Sequence, residues 1–256
     1  MGTVKFEREG PLAWIILDNQ AKMNAVNAQM ARQIAEAFEE VERNPEIHVA
    51  IITGAGDKAF SSGGDISAYV AGGVLGEEGS GQPAGIPKPD VLTKPVIAAI
   101  RGYCLAGGFG LAIGCDLRIA STDARMGPSG LKRGVVPGAQ QTERLVKLVP
   151  FGKALEILLM SKQIDAQEAL DIGLVQRVVP PDQLLAAARE WGNTIAAFSP
   201  RAVVDTKKLA YDCLTMNWKE SFEHGKGVMQ RSFQTEDGRE GFSAFLEKRQ
   251  PKFTGR

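Results

Sequence analysis

Histidine is scarce in this chain of 256 residues, which holds two, His48 and His224. They stand far apart and no His-Glu-x-x-His occurs, so no metalloprotease-type zinc helix is present. His48 precedes an apolar run and reads as structural. His224 falls in a helical pattern and reads as surface or interface. Cysteine is equally thin. Cys104, Cys115 and Cys213 are an odd number without metal-ligand spacing. All three lie in apolar or helical patterns, the setting of buried reduced thiols rather than of a disulfide framework. No metal site is expected. Net charge is absent too, because 30 Lys and Arg balance 30 Asp and Glu. With no basic run interleaved with aromatics, nothing points to nucleic acid. The longest apolar stretch, Val96–Ala120, is broken by Arg101, Asp116 and Arg118 and is no membrane span. The opening MGTVKFEREG is charged and strand-like, unlike a secretory leader, and lacks the Ser or Thr that a myristoylation signal needs. A cytoplasmic location is the simplest expectation.

What the chain does have is glycine, 29 residues of it, in an otherwise ordinary globular composition of 44% hydrophobic and 23% charged residues. The length permits one large domain or one domain with an appendage. Thr3–Glu9 and Leu12–Leu17, split by Gly10-Pro11, predict a hairpin. Asn24–Asn27 predicts a turn, and Ala28–Arg43 a helix with Met30, Ile34, Phe38 and Val41 on one face, ended at Asn44-Pro45. Val49–Thr53, Val96–Ile100, Leu117–Ser121 and Val175–Val179 predict buried strands, with a short edge at Ala124–Met126. Gly127–Gln141 reads as an irregular loop, and residues 71–90, rich in Gly and Pro, as a mobile loop over a site. Helices are predicted over Thr142–Val149, Lys153–Met160 and Asp165–Asp171, the last capped by Asp165 and closed by Gly173. From Pro181 the pattern is helical, over 181–198, 200–215, 218–233 and 238–247. The composition shifts near Ser199-Pro200, which predicts a strand-containing core over 1–198 and a helical region over 199–256. Strands alternating with helices predict an α/β fold.

Several familiar motifs fail on context. Gly54-Ala-Gly56-Asp-Lys-Ala59 fits the dinucleotide pattern G-x-G-x-x-A, but FSSGGD follows at once where a helix should open, and no acidic strand end lies about 20 residues on. No phosphate-binding G-x-x-x-x-G-K-[ST] is present. Ser129-Gly-Leu-Lys132 matches a bare S-x-x-K, which chance explains without a helix or partner motifs. Two glycine corners remain. One is Ala106-Gly107-Gly108, between the strand at Val96–Ile100 and a buried helical run. The other is Ser61-Ser62-Gly63-Gly64-Asp65, before a helical turn at Ile66–Tyr69. Small residues let a backbone approach a ligand closely and leave amide N–H groups uncovered. A single such corner reads as a tight turn in a core. A pair could converge on one carbonyl oxygen as an oxyanion hole, where each donor contributes roughly 3 kcal/mol to a transition state. Their convergence does not follow from spacing.

The chain resembles the crotonase superfamily, the enoyl-CoA hydratase/isomerase family, from end to end. The resemblance rests on Lys22-Met-Asn-Ala25, Ile51-Ile-Thr-Gly54, Ala59-Phe-Ser-Ser-Gly-Gly-Asp-Ile66, Lys94-Pro-Val-Ile-Ala-Ala-Ile100, Gly102-Tyr-Cys-Leu-Ala-Gly-Gly108, Cys115-Asp116, Gly134-Val-Val-Pro-Gly138 and Ala169-Leu-Asp-Ile-Gly-Leu-Val175. The stretch Thr235–Phe245 with Glu247-Lys-Arg249 fits as well. It implies a crotonase-like spiral of ββα units, with a C-terminal helical region that builds homotrimers or dimers of trimers. It implies an acyl-CoA substrate, with coenzyme A entering as part of that substrate and no permanently bound cofactor. The amides of Gly64 and Gly107 match the positions that hold the thioester oxygen. Ser62 with Asp65 and Ile66 matches the segment at the adenine end, and Lys22-Met23 the segment along the CoA.

The same resemblance places the acids and bases. Hydratases of the family carry one glutamate three residues after the oxyanion glycine, here Gly110. They carry a second in the loop after the 124–126 strand, here Gly130. Some isomerases, dehalogenases and decarboxylases carry Asp or Tyr further along that loop, here Gly138. Glycine cannot transfer a proton, and a general acid or base contributes about 10²–10⁴-fold in rate. Ser129, Lys132 with Arg133, and Tyr69 are the side chains near enough in sequence to substitute. Each also has a plain reading, as an unactivated hydroxyl, as surface cations, and as packing under the loop. The expectation is an enzyme of the enoyl-CoA hydratase family, a lyase or isomerase, in which ordinary hydration is doubtful. The alternative is a non-catalytic CoA-thioester binder or assembly subunit.

Overall fold

The computed structural model describes residues 2–66 and 92–256. The expected loop at 71–90, Tyr69 and most of the helical turn before it lie outside the described residues.

The chain opens with the expected hairpin, β1 (Thr3–Glu9) and β2 (Leu12–Asp18), turned at Gly10 with φ 57°. Helix α1 (Ala28–Arg43) starts where the Asn27 side chain accepts from the Met30 amide at 2.9 Å, satisfying one of the first-turn donors. It buries Met30, Ile34, Ala37, Phe38 and Val41, the four-residue stripe read from the sequence plus Ala37. Three turns of a spiral follow. Each lays one strand in a long sheet and the next in a short one: β3 (Val49–Gly54) then β4 (Ala59–Ser61), β5 (Val96–Ile100) then β6 (Tyr103–Leu105), and β7 (Leu117–Ser121) then β8 (Arg125–Gly127). Later, β9 (Ile164–Asp165) closes the short sheet and β10 (Arg177–Val179) the long one. The long sheet runs β1-β2-β3-β5-β7-β10 and is parallel beyond β2. The short sheet runs β4-β6-β8-β9, parallel except for its last pair.

A parallel sheet is covered on both faces, so its strands are apolar throughout rather than alternating. Here Ala50, Ile52, Ala98 and Ile100 join one core with α1 and the short sheet. Val49, Ile51, Ile97 and Ile119 join a second core under α6 (Leu184–Ala196). The helices α2 (Gly107–Gly114), α3 (Gln141–Leu148), α4 (Phe151–Leu159) and α5 (Ala166–Asp171) all bury residues in the first core. Asp165 caps α5 through the Glu168 amide, and Gly173 follows with φ 79°, both as expected. The C-terminal helical region holds α7 (Pro200–Cys213), α8 (Trp218–Gln234) and α9 (Glu236–Leu246). It is fixed to the core by Asp116, whose carboxylate accepts from Lys207 Nζ at 2.7 Å and from the Tyr211 hydroxyl at 2.8 Å. Among the described residues no helix is long and apolar enough to cross a membrane.

Three expectations change. The last strand is shorter than Val175–Val179, because Val175 leaves the sheet and packs into the first core. The strands β4, β6 and β9 were not expected as elements, since two or three residues are too few to show a period. Of the thiols, Cys104 and Cys115 are buried but Cys213 is only half-buried, on an amphipathic helix open to solvent.

Candidate active site

The two glycine corners are built by neighbouring strands of the short sheet. β4 and β6 pair in parallel, Ala59 opposite Tyr103 and Ser61 opposite Cys104, so both chains reach their corners side by side. The corners then touch. Gly63 has φ 104°, and a Cβ added to it would stand 2.8 Å from the Ala106 methyl and 2.9 Å from the Gly107 nitrogen. A Cβ on Gly108 would stand 2.7 Å from that of Ser61. Real Cβ contacts are not this short, so glycine is required at both positions for the corners to meet.

The amides are aimed by their neighbours. Val26 donates to the Gly63 carbonyl at 2.7 Å and accepts from the Asp65 amide at 2.9 Å. Gly64 lies between these bonds, and alternation along extended backbone turns its own N–H to the other side. Gly107 begins α2, where first-turn amides have no helical partner. Among the described residues neither the Gly64 nor the Gly107 amide has an acceptor. Ala106, at φ 50° and ψ −122°, is the strained residue that swings Gly107 into place. Non-glycine residues in that region cost on the order of 1–3 kcal/mol, and such strain gathers at functional sites.

The segment expected along a ligand is stitched to the first corner. Ser62 donates its amide to Met23 O at 2.9 Å and its hydroxyl to Lys22 O at 3.2 Å. Lys22 Nζ stands 2.7 Å from Asp65 Oδ2. Met23 and Ile66 are exposed at 43% and 47%, beside this seam. Beneath it, Asn24 is buried and donates to the carbonyls of Ala55 and Ala59 at 2.9 and 2.7 Å, while its Oδ1 accepts from Asn19. Its carbonyl takes the Ser61 hydroxyl at 2.8 Å, and the Ser61 oxygen takes the Gly63 amide at 3.2 Å. Sequence reading saw Asn24 as a turn residue. Its role as the post under the corner depends on partners more than thirty residues away.

The three glycines at expected acid and base positions fall differently. A Cβ on Gly110 would stand 2.7 Å from the Ala139 methyl and closer still to its carbonyl oxygen. One on Gly130 would stand 2.8 Å from Val135 O and 3.0 Å from Pro137 Cα. Gly138 is exposed, and its carbonyl accepts from the Gln141 side chain. The Ser129 hydroxyl accepts from Arg133 Nη1 at 2.7 Å, which leaves it paired with a cation and unsuited as a base. Lys132 is exposed on the turn Leu131–Arg133. Cys104 is the thiol next to the second corner. Burial pushes it well above the ordinary thiol range, which keeps it protonated and inert. Sequence reading missed Gln141, a buried side chain at the start of α3, and the left-handed pair before it, Ala139 at φ 58° and Gln140 at φ 60°.

Two glycine corners packed against each other on a ββα spiral invite comparison with known proteins. The family model for enoyl-CoA hydratase/isomerase matches residues 7–256. The chain belongs to the enoyl-CoA hydratase/isomerase family. Among members of that family it is 34% identical over 255 residues to the short-chain-enoyl-CoA hydratase of Clostridium acetobutylicum, covering 97% of this chain and 96% of that one. It is 35% identical over 258 residues to the carnitinyl-CoA dehydratase of Salmonella arizonae, covering 99% and 98%. The crystal structure of an enoyl-CoA hydratase from Mycobacterium tuberculosis superposes with a TM-score of 0.92 at 34% identity, over 99% of both chains.

Proposed function

We propose that this family member is an enzyme acting on an acyl-CoA thioester, with the Gly64 and Gly107 amides holding the thioester oxygen as an enolate forms. One observation carries the reading. A Cβ on Gly63 would stand 2.9 Å from the Gly107 nitrogen, so the two corners that carry the unclaimed Gly64 and Gly107 amides lie against each other. Donors fixed in advance stabilise developing negative charge without reorganising, which makes them selective for the transition state. Lys22, Met23, Ser62, Asp65 and Ile66 form the rim along which the CoA lies. Positions 110, 130 and 138 supply no proton-transferring group, so ordinary hydration is slow. Isomerisation, decarboxylation, hydrolysis or retro-aldol cleavage, with the substrate or a water supplying the base, suits the site better. Self-association through the C-terminal region accompanies this, supported by Trp218, Phe245 and Leu246, exposed at 84%, 80% and 80%.

A panel of acyl-CoA thioesters, crotonyl-CoA and malonyl-type thioesters included, tests the proposal. Turnover of a member other than crotonyl-CoA is expected. Rapid crotonyl-CoA hydration would overturn the account of the glycines. A second reading, a thioester binder without turnover, is favoured by the closed space at Gly110 and Gly130, and binding of the panel with no product would establish it.

A further inference from the structure

The helix that carries the Gly107 amide is a poor one by its own sequence. Four of the eight residues of α2 are glycine, the weakest helix former after proline. No side chain caps its start, and no basic residue of its own stands in its last turn. Its end is held from α3 instead. Arg144 Nη1 donates to the Ile113 carbonyl at 3.2 Å and to the Gly114 carbonyl at 3.0 Å. These are the last carbonyls of the helix, which lack intrahelical partners, and a cation beside them suits the negative end of the helix dipole. The guanidinium is itself braced, because its Nε donates to Gln140 Oε1 at 2.9 Å. One residue before Gln140, Ala139 packs on Gly110, so the stretch from Ala139 to Arg144 grips α2 at its middle and at its end. Arg144 also faces the Tyr211 hydroxyl, which donates to Asp116.

We infer that Arg144 is a positioning residue, which holds the C-terminal end of α2 and thereby fixes the Gly107 amide on the thioester oxygen. This rests on the acyl-CoA reading above. Ala106, at φ 50°, is strained, and strained backbone persists only where its surroundings over-determine it. Arg144 is part of that restraint, pinning one end of α2 while Ala106 is bent at the other. Freed at its far end, α2 relaxes toward an unstrained Ala106 and carries the Gly107 amide with it. Donors stabilise developing charge by being fixed in advance, and a misplacement of about 1 Å can cost about 10²-fold in rate. Arg144 touches no reacting atom; it acts through the helix.

The test uses butyryl-CoA isotope-labelled at the thioester carbonyl and bound to the wild-type chain, to Arg144→Met and to Arg144→Lys. The carbonyl band is read by difference infrared spectroscopy. The bound band reports only folded, liganded molecules, so a loss of stability alone does not move it. In wild type the band is expected to fall below that of the free thioester, because N–H donors polarise the carbonyl. Arg144→Met is expected to lose about half of that shift or more, with affinity within about threefold, and kcat on a thioester that turns over is expected to fall about tenfold. Arg144→Lys, which keeps a cation with donors, is expected to lie nearer wild type than free thioester. A shift kept whole in Arg144→Met overturns the inference, even where affinity or melting temperature falls. If that variant does not fold, an Arg144→Lys band at the free-thioester position overturns it. A bound wild-type band that does not shift defeats the oxyanion reading of the corners, and the inference with it. Failure of wild type to bind the thioester defeats the acyl-CoA reading itself.

Discussion

Ala139 fills the space into which a side chain at Gly110 would grow, its methyl carbon 2.7 Å from where a Cβ there would stand. Pro137 and Val135 do the same for Gly130. One stretch of loop, held by Thr142 Oγ1 on Pro137 O at 3.4 Å and by Gln141 on Gly138 O, thus closes both places where a proton-transferring side chain would begin. The glycines are required by packing as well as deprived of chemistry.

It follows that restoring glutamate is not a simple addition. Gly110→Glu and Gly130→Glu each push a Cβ into backbone, which cannot step aside as a flexible side chain can. Overpacking of this kind costs typically about 1–3 kcal/mol. Each variant is expected to melt several degrees lower than wild type, and the double variant to gain no measurable crotonyl-CoA hydration. A double variant that melts like wild type and hydrates crotonyl-CoA quickly would refute the closed-space account.

Gly63→Ala tests the convergence of the corners. The new methyl would meet Ala106 and the Gly107 nitrogen, and φ 104° is hostile to any L side chain. Displacing one oxyanion donor is expected to lower kcat by about 10²–10³-fold with little change in KM on the best thioester of the panel. Gly134→Ala is the control. Its φ of 72° carries similar backbone strain, but nothing lies within 4 Å, so some stability is lost and turnover is not.

The long elements were legible because they carry a period. The α1 stripe and the apolar runs of β3, β5 and β7 are written in the sequence, though the order in which the strands pair is not. The corners were legible as glycine clusters, and the resemblance joined them. What stayed hidden depends on tertiary contact. Nothing near Asn24 announces that it braces Ser61, and nothing near Gly110 announces Ala139. Gln141 looked like one polar residue in a loop, since burial is not written locally. The three-residue strands were invisible because their pairing, not their composition, makes them strands.

Lys22 separates binding from stability. Its pair with Asp65 is solvent-exposed on the lysine side at 55%, and such pairs contribute about 0–1 kcal/mol. Lys22→Ala is expected to leave the melting temperature within a degree or two. Affinity for an anionic CoA thioester should fall several-fold at low salt, and the gap between variant and wild type should shrink as salt rises. A loss that ignores ionic strength would place the ammonium's role in packing instead.

The clasp between core and C-terminal region makes a prediction about pH. Tyr211 donates to Asp116 Oδ1 at 2.8 Å, and burial first, then the Asp116 charge, push its phenol up from 10.0 to about 12. A raised pKa means that the folded state keeps a proton the unfolded chain releases. The stability it contributes is complete below pH 10 and is lost as pH climbs from about 10 to about 12. Two pKa units set an upper bound of about 2.7 kcal/mol, and partial exposure of the ring reduces this to about 1–2 kcal/mol. That loss appears only above pH 10; at pH 8 urea unfolding of wild type and Tyr211→Phe should differ by what one hydrogen bond to a charged acceptor contributes, about 1.5–3 kcal/mol, with wild type more stable. The difference should narrow steadily above pH 10. Asp116→Asn should bring the phenol's ultraviolet titration back toward 10, because the neighbouring negative charge is gone while the burial remains. A wild-type advantage that holds constant to pH 12 would mean that the hydroxyl contributes by shape alone, and that Lys207, 2.7 Å from the other carboxylate oxygen, carries the clasp without it.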